Sequence, residues 1–482
     1  MLRDVNTHVS DGLLGFATAT GDGLHVKIGA SPVVSDTPVI ITGDMDAAKI
    51  QTRLGLSPLA DAAMDAVQGG AARLFCIPVA AATAGTIGEV QKEGKGGGSV
   101  TVSGSPNNAF SVVVRLTGSG ELNTAAFQIS INGGYSFTDE VTVPLTGDYE
   151  ITGTGLSLKF TGKTDEKYLN SFAVDDMYSF ETTAPTMTNG DVLAAFDKLK
   201  QFSQEFEFVH IVGESALPLW QALSEAQQEL MAVYHKPAFV LLEAAFPTED
   251  GDGSGDLYDW AFQMEADRRK IRNTDLQVCA AWGQLVRLDG TTRAVNLAGL
   301  VSGLYAKAPV QVCIGKTRLE AGFGVQRTKL TGLLPAGYNN TIIEFLDNAG
   351  YLTFREYDGL DDLYVYHTKM MCPDGSDYRY AEDVRVRNKI IREMRKKGLL
   401  LLNDDIDVED IQNELEARAK FISIPLDRMV EGKEISSYET TVLPGHEETF
   451  FEDETLWLKV RYKSRGYIRE IDIDLGRAPI TA

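Results

Sequence analysis

The chain has 482 residues, 44% of them hydrophobic, which is enough to form several cores and too long for one ordinary domain. Its formal net charge of −23 argues against nucleic acid and against an anionic membrane as partners. No apolar run of about 18 residues predicts a transmembrane helix, and the first residues lack a signal-peptide pattern.

The N-terminal part predicts an arm followed by a β-α-β unit. Residues 1–35 are rich in Gly, Thr and Val and have few helix signals, so an extended arm is expected. The apolar runs at 38–43 and 71–80 predict buried strands, and the segment between them has the composition of a helix. Its length suits the crossover between two parallel strands.

A change of pattern predicts an inserted β domain over residues 88–185. Within it, Val, Ile, Thr and Phe alternate with polar residues between Gly-rich turns, which is typical of short antiparallel strands. Helix and strand patterns alternate again over 186–345, beginning with a helix for which Asn189 or Asp191 is a candidate cap. Residues 36–87 and 186–345 together therefore predict an α/β core with a mixed, mostly parallel sheet.

The remaining residues, 346–482, predict an α+β C-terminal domain. A helix end leads into a hairpin that extends to residue 371, followed by a basic helix over 381–397, an acidic helix and a strand-rich tail. The predicted fold class is an α/β core interrupted by an all-β inserted domain, with an α+β C-terminal domain and extended terminal arms.

Three short motifs resemble ligand or reactive sites but lack an essential residue. The Gly-Lys-Thr at 315–317 lacks the earlier glycine of a phosphate-binding loop, because Val310 stands there. The acidic loop at 250–255 lacks the glutamate of a calcium loop, because Ala261 stands at the twelfth position. The segment around Ser215 lacks the second glycine of a nucleophile elbow.

The histidines and cysteines lack the spacing of metal ligands or of a catalytic group. The six histidines include no HxxH or HExxH pair, and the four cysteines are scattered without a CxxC. Free thiols in a reducing cytoplasm are expected. No catalytic residue, cofactor or metal is predicted. The cysteines are Cys76, Cys279, Cys313 and Cys372.

Three segments, in this order, resemble the tail sheath proteins of contractile phage tails and related contractile injection particles. The helix that begins at 298–300 with Ala-Gly-Leu resembles the family's Ala/Gly-rich helix. The helix end at 348–351 then enters a hairpin whose second strand carries the aromatic segment 364–368. The chain departs from the family pattern around His367 and lacks the family's Ser-Pro-Ala-Asn, as in a divergent branch.

The resemblance implies a structural subunit that is not an enzyme and needs no cofactor. Such a subunit polymerises helically around an inner tube, and contraction of the sheath drives the tube through a target envelope. Its implied partners are copies of itself, the inner tail tube protein, and baseplate and tail terminator proteins. Assembly would occur in the bacterial cytoplasm, before the subunit forms part of a virion tail or a released phage-like particle.

The resemblance also implies how the domains are placed. The inserted β domain would face outward and the C-terminal domain would face the tube. In the predicted basic helix, four cations recur on one face, and a separate stripe is apolar. That face is a candidate contact with an acidic tube surface, and a solvated helix face is the alternative. The candidate tube-contacting residues are Arg385, Lys389, Arg392 and Lys396.

The terminal arms are the implied links between subunits, by strand exchange. Residues 1–20 and those beyond about 470 would be donors. The hairpin at 351–370 and the strand at 456–463 could form the receiving sheet. Acidic and apolar residues alternate in the C-terminal donor, as expected of a strand with one buried face. The candidate arm residues are Glu470, Ile471, Asp472, Ile473, Asp474 and Leu475.

Alternatives remain open for the tail and for the whole chain. The tail could instead form a local hairpin, in which Arg461 faces Glu470 and Lys459 faces Asp472. The whole chain could be another tail structural protein, such as a tube or baseplate component. An α/β enzyme with a β accessory domain is the alternative from another class.

Overall fold

A computed structural model of the protein shows a mixed α/β fold with several separate sheets, in agreement with the coarse class predicted from the sequence. No helix in the described ranges combines the length and the apolar character needed to cross a bilayer. The structure describes residues 22–35, 37–165, 167–247, 257–407, 409–443, 450, 452 and 454–477.

The first five elements surround a fully buried strand. They are β1 His25–Ala30, β2 Val39–Thr42, α1 Ala47–Leu54, α2 Pro58–Gly69 and β3 Arg73–Val79. In β1, Val26 and Ile28 enter the main core, while Lys27 points to the other face and has polar partners there. The predicted arm over 1–35 is therefore wrong for residues 25–30, and residues 1–21 lie outside the described residues.

Eight strands between β3 and the next helix form two antiparallel sheets around a core of their own. The strands are β4 Gln91–Glu93, β5 Ser99–Gly104, β6 Ser111–Gly118, β7 Ala126–Ser130, β8 Val141–Thr142, β9 Asp148–Ile151, β10 Leu156–Thr161 and β11 Met177–Glu181. The sheet orders are β5-β10-β9 and β4-β11-β6-β7-β8. Phe127, Phe160 and Tyr178 are among the buried side chains that fill this core.

Helices and parallel strands alternate after these sheets. The elements are α3 Asn189–Asp197, β12 Phe208–Ser215, α4 Leu217–Ala232, β13 Phe239–Ala244, α5 Leu257–Arg268 and β14 Leu276–Cys279. The main sheet has the order β14-β13-β12-β1-β3-β2, with only β2 antiparallel to its neighbour. The predicted parallel pairing of 38–43 with 71–80 is wrong, because β1 takes the parallel position beside β3 and leaves β2 at the edge.

The cap of α3 is neither of the two residues expected from the sequence. The Thr188 hydroxyl accepts a hydrogen bond from the Asp191 amide at 3.2 Å, and the Asp191 carboxylate accepts one from the Thr188 amide at 2.8 Å. This reciprocal pair is a capping box, in which Thr188 is the cap. Asp191 is its partner, and Asn189 is the first helical residue.

The next segment covers one face of the main sheet, except for its second helix, whose Ile342 and Leu346 belong to the core on the opposite face. Its elements are β15 Trp282–Val286, β16 Thr292–Asn296, α6 Ala298–Lys307, β17 Leu330–Leu334, α7 Asn340–Ala349, β18 Phe354–Glu356 and β19 Leu363–Val365. The predicted hairpin is the antiparallel pair β18–β19. Its residues Phe354 and Val365 pack in one cluster with Phe208 and Phe239 of the main sheet. The hairpin, which the sequence assigned to the C-terminal domain, therefore packs on the core sheet.

The final elements form a helical pair with a small sheet. They are α8 Ala381–Gly398, α9 Ile411–Glu431, β20 Ser437–Val442 and β21 Leu458–Lys463. Val386 and Ile390 on α8 share a cluster with Leu426 and Met429 on α9. Because β21 pairs with β20 and β18 with β19, the hairpin and the strand at 456–463 do not share one receiving sheet, contrary to expectation.

Glycines explain the small-residue composition of α6. A Cβ added at Gly303 would lie 2.2 Å from the Ala66 carbonyl oxygen and 2.7 Å from the Gly69 Cα on α2. A Cβ at Gly69 would lie 2.6 Å from the Leu300 carbonyl oxygen. The two helices therefore touch backbone to backbone, and only glycine fits on both sides of the contact.

Replacing Gly303 by alanine should destabilise the subunit by about 1–3 kcal/mol, because neither neighbouring backbone can move aside without repacking. Gly398→Ala is the matched control, since an added Cβ there meets nothing within 4 Å and Gly398 has helical dihedrals. The control should stabilise α8 by about 0.5–1 kcal/mol. Chemical denaturation of both variants checks the opposite signs, and a neutral Gly303→Ala would contradict the close contact.

Candidate functional site

Arg385, the first predicted tube-contacting residue, lies in the interior of the subunit. Its side chain is 0% exposed and forms an ion pair with Glu207, which is also 0% exposed. The same guanidinium donates to the carbonyls of Tyr305 and Ala308, each at 2.9 Å, near the C-terminus of α6. Arg385 thus fastens α8 to α6 and to the segment that leads into β12.

Lys389 and Arg392 are also buried and paired. The Lys389 ammonium lies 2.6 Å from an Asp22 carboxylate oxygen and 2.7 Å from a Glu434 oxygen. The Arg392 guanidinium lies 3.1 Å from the other Asp22 oxygen and donates to the Pro237 carbonyl at 3.3 Å. These two cations therefore bind the start of the described chain and the turn after α9.

The predicted basic face of α8 is wrong as a free surface for three of its four residues. Only Lys396 is partly exposed, and it pairs with Glu205 at 2.8 Å and Glu393 at 2.7 Å. The cations do recur on one face of the helix, but carboxylates from other parts of the chain cover that face. Arg385, Lys389 and Arg392 are consequently not available to an acidic tube.

Replacing Arg385 by methionine should cost about 3–5 kcal/mol of stability, because Glu207 would remain buried without its counter-ion. Lys396→Met is the matched control, and loss of its partly exposed pairs should cost about 0–1 kcal/mol. Equilibrium denaturation in urea measures both variants. Equal losses of unfolding free energy for the two substitutions would show that burial of the Arg385 pair does not increase the cost of removing one partner.

The local-hairpin alternative for the tail is wrong in this subunit. Arg461 lies opposite Glu439 and Lys459 opposite Thr441, because β21 pairs with β20. Residues 464–477 are outside any described helix or strand. The expected pairs of Arg461 with Glu470 and of Lys459 with Asp472 therefore do not form.

The tail is fastened to the subunit as far as Arg469 and exposed beyond it. The Arg469 guanidinium pairs with the buried Glu382 carboxylate at the start of α8 and stacks over the Tyr380 ring, 4.0 Å from its centroid. Ile471 is 73% exposed, Ile473 82% and Leu475 91%. The acidic residues between them, Glu470, Asp472 and Asp474, are exposed as well.

A buried polar network occupies the place where the sequence offered a nucleophile. The Ser215 hydroxyl donates to the Glu243 carbonyl at 2.6 Å and accepts from the Trp220 indole at 2.9 Å. His210 lies 2.7 Å from the Lys27 ammonium and 2.9 Å from a Glu243 carboxylate oxygen. Burial lowers the pKa of Lys27 to about 8 and raises the pKa of Glu243 to about 7. Ser215 therefore contacts Trp220 and the Glu243 carbonyl, whereas His210 contacts Lys27 and the Glu243 carboxylate.

A cavity of about 740 Å³ lies at the carboxyl ends of β1 and β12, the position where open α/β sheets often bind ligands. Its charged wall is paired internally: Arg287 lies 2.6 Å from an Asp61 oxygen and 3.2 Å from an Asp65 oxygen. The Asn108 amide donates to Asp61 at 2.9 Å and so joins the inserted sheets to the core. Across the described ranges, no three His, Cys, Asp or Glu side chains cluster closely enough to hold a metal ion.

The acidic loop at 250–255, which resembles a calcium loop in sequence, lies outside the described residues.

The free thiols predicted for the cysteines are present in the structure. All four cysteines are free thiols, and all are buried. Burial raises the pKa of the Cys76 and Cys279 thiols to about 12, which keeps them protonated.

The fold is similar to those of solved sheath proteins over almost the whole chain. The PVC sheath of an extracellular contractile injection system, in its contracted state, gives a TM-score of 0.54 at 10% identity, covering 99% of each chain. The sheath tail protein of Desulfitobacterium hafniense gives a TM-score of 0.50 at 14% identity, covering 92% of this chain and 93% of that one. The protein therefore has the fold of contractile sheath subunits, which confirms the resemblance predicted from the sequence.

Two family models together cover most of this chain. Residues 2–367 match the N-terminal domain of DUF2586, and residues 377–479 match its C-terminal domain. The chain belongs to the DUF2586 family. None of the curated proteins compared with it is significantly similar. The family boundary falls after the β18–β19 hairpin, in keeping with the packing of that hairpin on the core sheet.

Proposed function

We propose that the chain is the structural subunit of a contractile sheath, which polymerises helically around an inner tube and contracts to drive that tube through a target envelope. The observation that carries the proposal is the match of fold over 99% of both chains with a sheath in its contracted state. A helical tube needs contacts that do not close into a ring, so the subunit requires links that reach beyond its own surface.

The exposed tail supplies one such link. Beyond Arg469, alternate side chains are apolar and carry no cover from the subunit, with Ile473 82% and Leu475 91% exposed. An extended segment of this pattern can add to the edge of a sheet, where main-chain hydrogen bonds bind it and apolar side chains fill one face. Residues 1–20, which lie outside the described residues, would supply the second link, as expected from the sequence.

The sheet β20–β21 is the proposed acceptor. It has two strands, and isolated two-stranded sheets are marginally stable, whereas three or more strands with one packed face are stable. Its face is already packed, because Tyr438, Val460 and Tyr462 contact the α8–α9 cluster. Incoming strands from neighbouring subunits would extend this sheet and lengthen its contact with the helices.

Deleting residues 470–482 should leave a folded subunit that forms no tubes, since residues 470–477 are exposed and outside the described helices and strands. Deleting residues 1–21 should have the same effect. Electron microscopy of the purified variants counts tubes, and circular dichroism checks the fold. Ordered helices formed by both deletion variants would place the links elsewhere.

A matched pair of triple variants tests the chemistry of the C-terminal link. Replacing Ile471, Ile473 and Leu475 by serine should abolish assembly, because each buried side chain contributes about 1.5–3 kcal/mol. Replacing the acids of the same segment by their amides should leave tubes intact. Equal effects of the two variants would show that the apolar face is not buried at the link.

We also propose that the inserted sheets face outward and do not take part in the helical contacts. Their chain connection to the core is a narrow neck, in which isolated bridges join Thr83 to Thr186 and Ile87 to Thr182, and further contacts are the Asn108–Asp61 bond and packing on Leu56. The Gly88 amide donates to the Glu181 carbonyl at 2.8 Å, so the two ends of the insertion are adjacent. A short linker could therefore close the chain without moving the core.

Replacing residues 89–181 by a short Gly-Ser linker should preserve tube formation, because the ends already meet at the neck and loops of this length close at little entropic cost. The variant exposes Leu56, which packs against the inserted sheets, so it should also carry Leu56→Ser. Electron microscopy gives the yield of tubes. A folded variant without tubes would show that the insertion makes an essential contact.

The remaining partners follow from the proposed role. A sheath requires an inner tube, and its two ends require baseplate and tail terminator proteins. Assembly would take place in the bacterial cytoplasm, before the sheath forms part of a virion tail or a released particle. The tube-facing surface would belong to the C-terminal domain, but to side chains other than the buried cations of α8.

A further inference from the structure

One helix holds the roots of both terminal segments. Asp22, the first described residue, is held by Lys389 and Arg392 on α8, and Arg469, after which the tail is exposed, is held by Glu382 on the same helix. Ten residues separate Glu382 from Arg392, which is about 15 Å along a helix axis. Asp22 and Arg469 are therefore held at two fixed points on a single rigid element.

The N-terminal root is fixed by its backbone as well as by its charge. The Gly23 amide donates to a Glu207 carboxylate oxygen at 2.6 Å, and Glu207 is the buried partner of Arg385. Gly23 has a φ of +74°, and a Cβ there would lie 2.3 Å from the Ala306 carbonyl oxygen. The chain therefore passes closely between α8 and α6 before it enters β1.

The C-terminal root uses one arginine for several contacts. Besides its pair with Glu382, the Arg469 guanidinium lies 3.3 Å from the Cys313 sulfur and 4.9 Å from the centroid of the Tyr467 ring. Tyr467 itself donates its hydroxyl to the Gln311 carbonyl. Glu382 is 1% exposed, so removal of Arg469 would leave a buried carboxylate without its counter-ion.

We infer that the charges of α8 are positioning residues for assembly: they fix the points from which both terminal segments reach their neighbours. The inference rests on the proposed sheath function. If each link is made by a terminal segment, the distance between the two links of a subunit is set by α8. That distance stays constant while whole subunits move past one another, so the links persist during contraction.

Arg469→Ala tests the C-terminal root, with Arg465→Ala as the matched control. Arg465 is exposed and lies four residues earlier in the chain, and its substitution changes the net charge equally. In the unassembled subunit, Arg469→Ala should speed hydrogen exchange of the Ala381, Asp383 and Val384 amides, which are hydrogen-bonded beside Glu382, by about tenfold or more, because a charge-assisted contact is lost. It should also reduce the yield of ordered tubes, whereas Arg465→Ala should change neither quantity.

Arg469→Lys separates position from stability, because lysine keeps the charge but loses the forked contact and the ring stacking. It should give an intermediate rate of exchange and an intermediate yield of tubes. Unchanged exchange in Arg469→Ala would overturn the inference, as would faster exchange with a normal yield of tubes. Failure of the sheath proposal would be a different result: the unmodified protein would form no tubes, or the variant lacking 470–482 would form them. The exchange data would still report on the contacts of Arg469.

Discussion

The buried ion pair between Arg385 and Glu207 is the interaction on which the arrangement of the subunit depends. Arg385 belongs to α8 and Glu207 to the segment that leads into β12, and the same two side chains bond to the end of α6 and to the Gly23 amide. Four separate parts of the chain thus meet at two fully desolvated charges. Such a pair adds little net stability over apolar residues, but an alternative packing would leave a charge unpaired in the interior. Its effect is therefore to exclude other arrangements.

Much of the fold could be predicted because hydrophobic patterns are local. The alternation of strands and helices, the β insertion and the hairpin all follow from periodicity within single segments. The errors arose where the pairing of strands from distant parts of the chain decides the structure. β1 was missed because His25 and Lys27 interrupt its apolar run, and their burial depends on partners far along the chain. The direction of β2 was missed because β1 competes with it for the place beside β3.

The candidate site shows the same limit more sharply. The periodicity of Arg385, Lys389 and Arg392 is real, and it places them on one face of α8. Whether that face meets water or carboxylates depends on Asp22, Glu207 and Glu434, which lie in three distant segments. One signal was available: a strongly basic helix in a chain of net charge −23 has many acids within the same molecule to pair with. The role of the arm residues stays a prediction, because it depends on contacts with a neighbouring subunit.

The exposed tail has a consequence for the timing of assembly. Its apolar side chains alternate with Glu470, Asp472 and Asp474, and a second copy of the chain is itself strongly acidic. Two free subunits therefore repel each other at long range, and this repulsion extends over a Debye length of about 8 Å at physiological ionic strength. The barrier falls where a cationic or templating surface first brings subunits together. In the proposed sheath, the segment that closes each link would thus also disfavour spontaneous nucleation away from a template.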